Sequence, residues 1–430
     1  MRSVFGERRQ VNGRTLLMQA IATSHAQLLE AVSRQLTAML VEAVTYLLGR
    51  GVYERRQTAS WEEQSGRCHR CQSQAVGRMV RNGYRHRSLL TPLGWVEFWL
   101  PRVRCQCGGS VELTFEGLVR PYQRLSDLVD EQVCRWYRQG LSLRQLQAEL
   151  AHSYLGPLAI STLLQRLHQL VPTSLPADVP PIVQVDAIWV TQVLPNGRTF
   201  TDRKGRRRPC KSRRKRPLFI ALGVWPETDQ AQVLDWMLAE SEESEAWLTF
   251  LTRLEAAGLR GEQGLQLIIH DGGAGLCGAL QTVHFDAPTQ RCLFHKLRNI
   301  ADAIQLPTGL TRHQRSVRRK AILKEFGAIW QAKSLSTALR RYLQVVRHFR
   351  HTQPQAVAAL RRDFRATLTF YQLSPLYAIR HLRTTSRLER FNRTLRTRLR
   401  RAAALHSDQG LISMFTQQIH AFNASQISTN

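Results

Sequence analysis

The chain has 430 residues, 43% of them apolar, with 61 lysines and arginines against 32 aspartates and glutamates, a formal charge of +29. That length exceeds one ordinary core, so two or three domains are expected. So positive a balance, spread over several segments, calls for a polyanionic partner, nucleic acid ahead of an acidic membrane surface.

The first apolar stretch, TLLMQAIATSHAQLLEAVSRQLTAMLVEAVTYLLGRG, is interrupted by His25, Glu30, Arg34 and Glu42. It cannot cross a bilayer at reasonable cost, and its apolar residues recur at helical spacing. No signal peptide is evident, so a cytoplasmic, nucleoid-associated protein is expected, whose cysteines are thiols or metal ligands. Residues 1–65 read as a helical region, its helices closed by GRG and followed by the polar connector ERRQTASWEEQSGR.

Residues 66–110 change character. Cys68-x-x-Cys71 and Cys105-x-Cys107 flank the strand-like runs NGYRHRSLLTPLG and WVEFWLPRVRC. Two close pairs brought together by a hairpin supply the four thiolates that tetrahedral zinc prefers, so a structural Zn²⁺ ribbon is expected; two disulfides or four unrelated thiols are the alternatives. Residues 111–172 are helical. GLSLRQLQAEL and LAISTLLQRLHQL, with Ser161 placed as an N-cap, have the pattern of a helix-turn-helix, although short-turn helix pairs are common. Arg81, Arg85 and Arg87 of the ribbon, and Arg144, Thr162 and Arg166 of the helices, are the candidate DNA contacts.

The proline-rich VPTSLPADVPP marks a boundary, after which strand and helix signals alternate over 180–300, as in an α/β sheet. IVQVDAIWV, PLFIALGVW and LQLIIHD read as strands, Gln230 to Ala257 as a helical stretch, and GLCGALQTV as a helix. Asp186 interrupts an apolar strand and shares a side with Gln184 and Ile188. Asp271 ends a strand before GGAG, where ligands of open α/β sheets bind, although aspartates there are often turn formers. The loop DRKGRRRPCKSRRKR offers Arg207, Arg208, Arg213 and Arg214 to phosphate, or is a solvated hairpin tip. Residues 301–380 are helical throughout. Trp330 lies among them and is expected in a core, with stacking on a base as the alternative.

Residues 381–430 contain TTSRLERFNRTLRTRLRR, in which seven arginines accompany one acid, Glu389. Ser386-x-x-Glu389 has capping-box spacing, and Arg393 lies one turn on; together these are worth roughly 1–2 kcal/mol, enough to explain the glutamate locally. Leu388, Phe391, Leu395 and Leu399 form the buried stripe, with Glu389, Asn392, Arg393 and Arg396 on the adjoining polar face. If Glu389 instead meets Asp186 and Asp271, each close pair repels at roughly 4 kcal/mol at intermediate dielectric. Divalent metal removes that cost. Hard carboxylate oxygens suit Mg²⁺ or Mn²⁺, and a pair of such ions serves phosphoryl transfer.

VQVDAIWV, IIHDGGAGL, QRCLFHKLRNI and RTTSRLERFNRTLRTRLRR, in this order, resemble the catalytic domain of Mutator-type insertion-sequence transposases; LLGRGVYERR, the hairpin sequence and GLSLRQLQAEL resemble the same family's N-terminal region. The resemblance runs from about Met39 to Gly410. It implies a multidomain α+β protein: N-terminal helices with a zinc ribbon and helix-turn-helix, then a ribonuclease H-like α/β domain interrupted by an all-helical insertion. It further implies an Asp-Asp-Glu triad at Asp186, Asp271 and Glu389 holding Mg²⁺ (or Mn²⁺), supported by Cys292 and His295 of a CxxH motif and by Arg396; from the polar face of the helix itself, Asn392 is read as a further support and Arg393 as a DNA contact. The implied activity is metal-dependent cleavage and strand transfer of double-stranded DNA, from terminal inverted repeats to target, by a homodimer or larger synaptic complex without a membrane role. A domesticated DNA-binding regulator without catalysis and a structure-specific nuclease are the rivals. The four-cysteine ribbon and the very basic loop depart from the commonest family pattern.

Overall fold

The computed structural model describes residues 13–48, 68, 70–72, 79–111, 123–154, 158–168, 178–401 and 407–427; the connector after GRG and residues 171–177 of the proline-rich linker lie outside them. The architecture is a multidomain mixture of helices and sheets in two compact units, Met1–Arg166 and Leu167–Asn430. No helix among the described residues is long and apolar enough to cross a membrane.

In the first unit, helix α1 (Gly13–Leu48) lies on the hairpin of β1 (Met79–Thr91) and β2 (Gly94–Cys105), to which the short β3 (Ser110–Val111) is added. Leu40 and Val44 of the helix bury with Leu89, Phe98 and Val103. Alternate residues of β2 are buried, so one face of the hairpin is apolar and the other wet. Helices α2 (Asp127–Gln139), α3 (Leu143–Ser153) and α4 (Ile160–His168) follow. A capping box of Ser142 and Gln145 starts α3. Ser161 is not an N-cap: the Thr162 and Leu163 amides bond to the Ala159 carbonyl, so α4 begins two residues earlier, at Ile160.

The second unit is built on a five-stranded sheet. Strands β4 (Ile182–Thr201), β5 (Arg207–Trp225), β6 (Gln230–Leu238), β7 (Leu267–His270) and β8 (Thr289–Arg291) lie in the order β6-β5-β4-β7-β8. The first three form an antiparallel meander, and β7 and β8 run parallel to β4. One face buries Val183, Val185, Phe219 and Ala221 against α5 (Ser244–Ala256) and α6 (Ala274–Thr282), with Phe219 stacked on Trp247 at 3.7 Å. The stretch from Gln230 to Ala257 is therefore not one helix. Its first part is edge strand β6, because pairing with β5 satisfies its backbone.

After β8 come α7 (Leu293–Ala303) and a helical insertion of α8 (Arg312–Gly327), α9 (Leu335–Phe349), α10 (Pro354–Arg361) and α11 (Phe370–Leu373). Trp330 is in its core, 2% exposed, donating to Thr367 Oγ1 at 2.9 Å. The insertion returns to the sheet where Thr369 donates to the Thr289 carbonyl at 2.7 Å and Gln290 accepts from the Phe370 amide at 2.9 Å. The chain then runs through α12 (Ile379–Leu382) into α13 (Ser386–Arg401) and α14 (Asp408–Ile427). Asn423 of α14 bonds both the amide and the carbonyl of Val233, occupying part of the edge of β6.

Candidate active site

The parallel strands align three chemical positions. Val185 pairs with His270, and His270 with Arg291, so Asp186, Asp271 and Cys292 follow at one level of β4, β7 and β8. Strand ends of this kind are where open sheets bind ligands. Helix α13 is drawn to the same place by Gln184, two residues before Asp186 and on its face of β4. Its amide donates to the Thr384 carbonyl at 3.2 Å and accepts from the Leu388 amide at 3.0 Å, holding the first turn of α13 to the strand.

Glu389 is in that turn, and its carboxylate does not serve the local roles that the spacing suggests. Oε1 lies 3.6 Å from His295 Nε2, and Oε2 3.3 Å from the Arg396 guanidinium, seven residues on. One ligand atom each from Asp186, His295 and Glu389 lie within 4.8 Å of one another. The tight group thus includes His295 where the sequence suggests Asp271. Asp271 stands beside it, its Oδ1 accepting from the Gly273 amide at 2.9 Å, and acts on Asp186 through its charge.

Asp186 is 5% exposed. Burial, followed by the charges of Asp271 and Glu389, pushes its carboxyl well above the usual range; His295 and the Ala187 amide, at 2.8 Å, oppose this without cancelling it. Asn392, read from sequence as part of an outward polar face, is wholly buried. It donates to Asp186 Oδ2 at 3.2 Å, while its own Oδ1 is buried without a donor among the described residues. Leu388, Phe391 and Leu395 do form the buried stripe, and Leu399 is only half-buried.

His295 stands in the first turn of α7, behind Cys292. Burial lowers the imidazole's pKa, but the hydrogen bond and charge of Cys292 and the charges of Asp186 and Asp271 outweigh it and raise it. Burial likewise raises the Cys292 thiol, yet hydrogen bonds with His295 and Thr385 bring it below its ordinary value. Thr385 Oγ1 lies 3.4 Å from the sulfur, so the CxxH pair also ties α7 to the start of α13. Gly272 adopts φ +78°, and a Cβ there would overlap the Arg291 guanidinium, so the turn after Asp271 admits glycine alone without rearrangement.

Glu242 is a site residue that sequence reasoning misses. A Cβ built on Gly273 would lie 3.6 Å from both its Oε1 and Asp271 Oδ1. Burial and then the Asp271 charge raise its pKa, against a hydrogen bond from Trp189. It sits in an acid-rich loop, ESEESE, whose pattern gives no reason to prefer one glutamate.

In the first unit Cys68, Cys71, Cys105 and Cys107 converge within 4.8 Å. The Cys68–Cys107 and Cys71–Cys105 sulfurs are 3.5 and 3.7 Å apart, far beyond a disulfide. They are near the edge of about 3.8 Å expected for four thiolates about 2.3 Å from one tetrahedral ion. Of the other candidate DNA contacts, Arg85, Arg144, Arg213 and Arg393 are exposed and Thr162 is half-buried. Several are engaged within the protein: Arg81 with Thr45, Arg87 with the Gln123 carbonyl, Arg207 with Thr199, Arg208 with Asp202, Arg214 with Glu240. Arg166 forms a two-pronged pair with Asp130, which is 8% exposed.

The sequence profile described as Transposase, Mutator family, matches residues 15–417. The chain belongs to the Mutator family of transposases. It is 25% identical over 354 residues to the transposase of insertion sequence IS905 from Lactococcus lactis, covering 80% of each chain. To that of ISRM5 from Rhizobium meliloti it is 27% identical over 322 residues, covering 74% of this chain and 72% of the relative. Among solved structures, the Drosophila P element transposase strand transfer complex aligns over 73% of this chain and 83% of that one, at 12% identity and a TM-score of 0.26, too slight a likeness to add to the assignment.

The raised Asp186 carboxyl has a stability consequence. The fold holds that proton more tightly than the unfolded chain does, so its contribution is fully present below the ordinary value of 3.8 and is lost as pH rises through the raised folded value. Asp186→Asn removes the ionisation, and its amide can donate to the unpartnered Asn392 oxygen. Without added magnesium or manganese, the variant is expected to melt above the wild type at neutral pH and to lose less stability between pH 4 and 7. Thermal unfolding across that range checks this; parallel curves for the two proteins would contradict it.

Proposed function

We propose that this insertion-sequence transposase cuts and joins DNA at the Asp186, Asp271 and Glu389 constellation, on a ribonuclease H-like domain whose helical insertion precedes α13. The observation that carries the reading is the meeting of Asp186 and Glu389, distant in sequence, at a buried point beside Asp271. The residues present fit a hard divalent cation: clustered carboxylate oxygens repel one another, and the Asn392 oxygen is buried without a donor among the described residues. Mg²⁺ or Mn²⁺ held by Asp186, Asp271 and Glu389 would supply activation of the attacking oxygen and stabilisation of the leaving one.

The chain's own residues then divide the remaining work. Gln184 fixes Glu389 in register with Asp186, and Asn392 orients the Asp186 carboxylate. Cys292 and His295 support Glu389 from α7. Arg396 balances the charge of Glu389, and Arg393, exposed on the same helix, faces phosphate. Water attacks first and frees a 3′-hydroxyl at the element's end; that hydroxyl then attacks a phosphodiester of the target DNA, joining to its phosphorus and displacing the target strand's 3′-hydroxyl, with no covalent protein intermediate. The same carboxylates serve both steps. Two ends must be held at once, so a dimer or larger synaptic complex is part of the proposal.

The four thiols of the first unit fit Zn²⁺, which would hold the hairpin ends together where the local core is small. This hairpin and the α3–α4 pair are the proposed readers of the terminal inverted repeats. The paired Arg166 belongs to the support of that region more than to its contact surface, since releasing it would strand Asp130.

Glu389→Gln is expected to abolish cleavage and joining in a strand-transfer assay with magnesium while leaving end binding nearly intact. Normal joining by that variant would leave Glu389 only a structural part. Cleavage without joining in the wild type would favour a structure-specific nuclease, and binding with neither would favour a regulator. Stripping the thiol-bound metal from a sample that stays folded should weaken binding to the element's ends; unchanged affinity would remove the hairpin from end recognition.

A further inference from the structure

Beyond the body of the sheet, β4 and β5 continue as a two-stranded ribbon. Its turn is organised by Asp202, which accepts from the Lys204 and Arg206 amides at 2.9 and 3.0 Å. The register places Thr201 opposite Arg207, Pro195 opposite Lys211, Val193 opposite Arg213 and Thr191 opposite Lys215. Because side chains alternate along a strand, Arg207, Lys211, Arg213 and Lys215 share one face of β5, and Arg208, Arg214 and Arg216 share the other.

The two faces differ in one respect. Every arginine of the second has an acid partner: Arg208 has Asp202, Arg214 has Glu240, and Arg216 has both Glu240 and Asp408. On the first face all four cations are exposed, and none has an acidic partner among the described residues. Across the ribbon from them stand Thr191, Val193, Pro195 and Thr201, uncharged and too short to screen the cationic heads. Lys211, Arg213 and Lys215 repeat every two residues, about 7 Å, a row of charge along the ribbon edge. The same face of β4 continues to Trp189, 53% exposed, which bonds Glu242 beside Asp271.

We propose that this single face, Arg207, Lys211, Arg213 and Lys215, seats the phosphate backbone of duplex DNA, while on the opposite face Arg214 and Arg216 hold the ribbon to the domain and Arg208 braces its turn. A two-stranded ribbon is of a size that the major groove, about 12 Å wide, admits, and a row of unpaired cations is what exchanges condensed counterions for phosphates. The proposal rests on the transposase reading and assigns the DNA to a surface that runs on through Trp189 and Glu242 toward Asp271, Asp186 projecting from the other face of β4.

The test compares K211A/R213A/K215A with R208A/R214A on the full-length protein, measuring affinity for a duplex against salt concentration and joining at low and moderate salt. The exposed triple is expected to keep the wild-type melting temperature and to lower the slope of log K against log salt by about 0.9 for each phosphate that is no longer neutralised. The paired double should leave the slope near that of the wild type. The triple should regain joining at low salt, because Asp186, Asp271 and Glu389 are untouched. A wild-type slope in the triple, or an equal change in both variants, would overturn the assignment to this face. Failure of the wild type to join at any salt would count against the transposase reading instead, since the slopes report binding alone.

Discussion

A carboxylate that is 5% exposed and faces two others is the constraint around which the second unit is arranged. Asp186 lies in the middle of the sheet, where a charge loses its hydration, and the acids nearest to it add repulsion. Nothing in helix propensity or apolar burial favours such a grouping. It persists because the backbone overdetermines it: β4 is paired on both sides, and Gln184 fixes the start of α13 through two hydrogen bonds. The opposing interactions, from Asn392, the Ala187 amide and His295, are too few to restore an ordinary carboxylate. A site that costs stability where it is most rigid is the expected signature of bound cations.

The rest of the unit serves that grouping. Parallel pairing of β4, β7 and β8 puts Asp186, Asp271 and Cys292 on one level, so a single sheet delivers residues from distant parts of the chain. The insertion lengthens the path from Asp271 to Glu389 without loosening it, because its return is bonded to β8 and Cys292 is bonded to Thr385. Arginines surround the site in two kinds. Some complete ion pairs, as Arg216 does with Asp408, and others, such as Arg213 and Arg393, are left to solvent. Net charge alone does not separate the two.

Much of this is legible in the sequence, and the limits are physical. Asp186 stands out because a charge inside IVQVDAIWV breaks an apolar strand, and the cysteine pairs stand out because their spacing is that of ligands. Glu389 is ambiguous, since capping and chelation ask for the same residue, and contacts distant in sequence, those of Gln184 with Thr384 and Leu388 and of Cys292 with Thr385, place its helix beside Asp186. Residues Gln230 to Leu238 mislead because their helix-compatible spacing yields to pairing with β5. Asn392 falls at the margin of the apolar stripe of α13, where one step of helical rotation separates solvent from core. Glu242 leaves no local signal, since its place comes from Gly275, where a Cβ would lie 2.4 Å from the Glu242 carbonyl oxygen, so that only glycine lets the start of α6 approach this segment. The split of the basic ribbon into paired and unpaired faces depends on Glu240 and Asp408, which come from elsewhere in the chain.

The most direct measurement of the central claim is the change in melting temperature on adding Mg²⁺ to the protein at neutral pH, with no chelator present, for the wild type and for Glu389→Gln. If cations relieve the repulsion around Asp186, the wild type is stabilised in proportion to the logarithm of magnesium concentration above its dissociation constant, and the variant responds much less. Equal shifts in the two proteins, or none in either, would contradict the account.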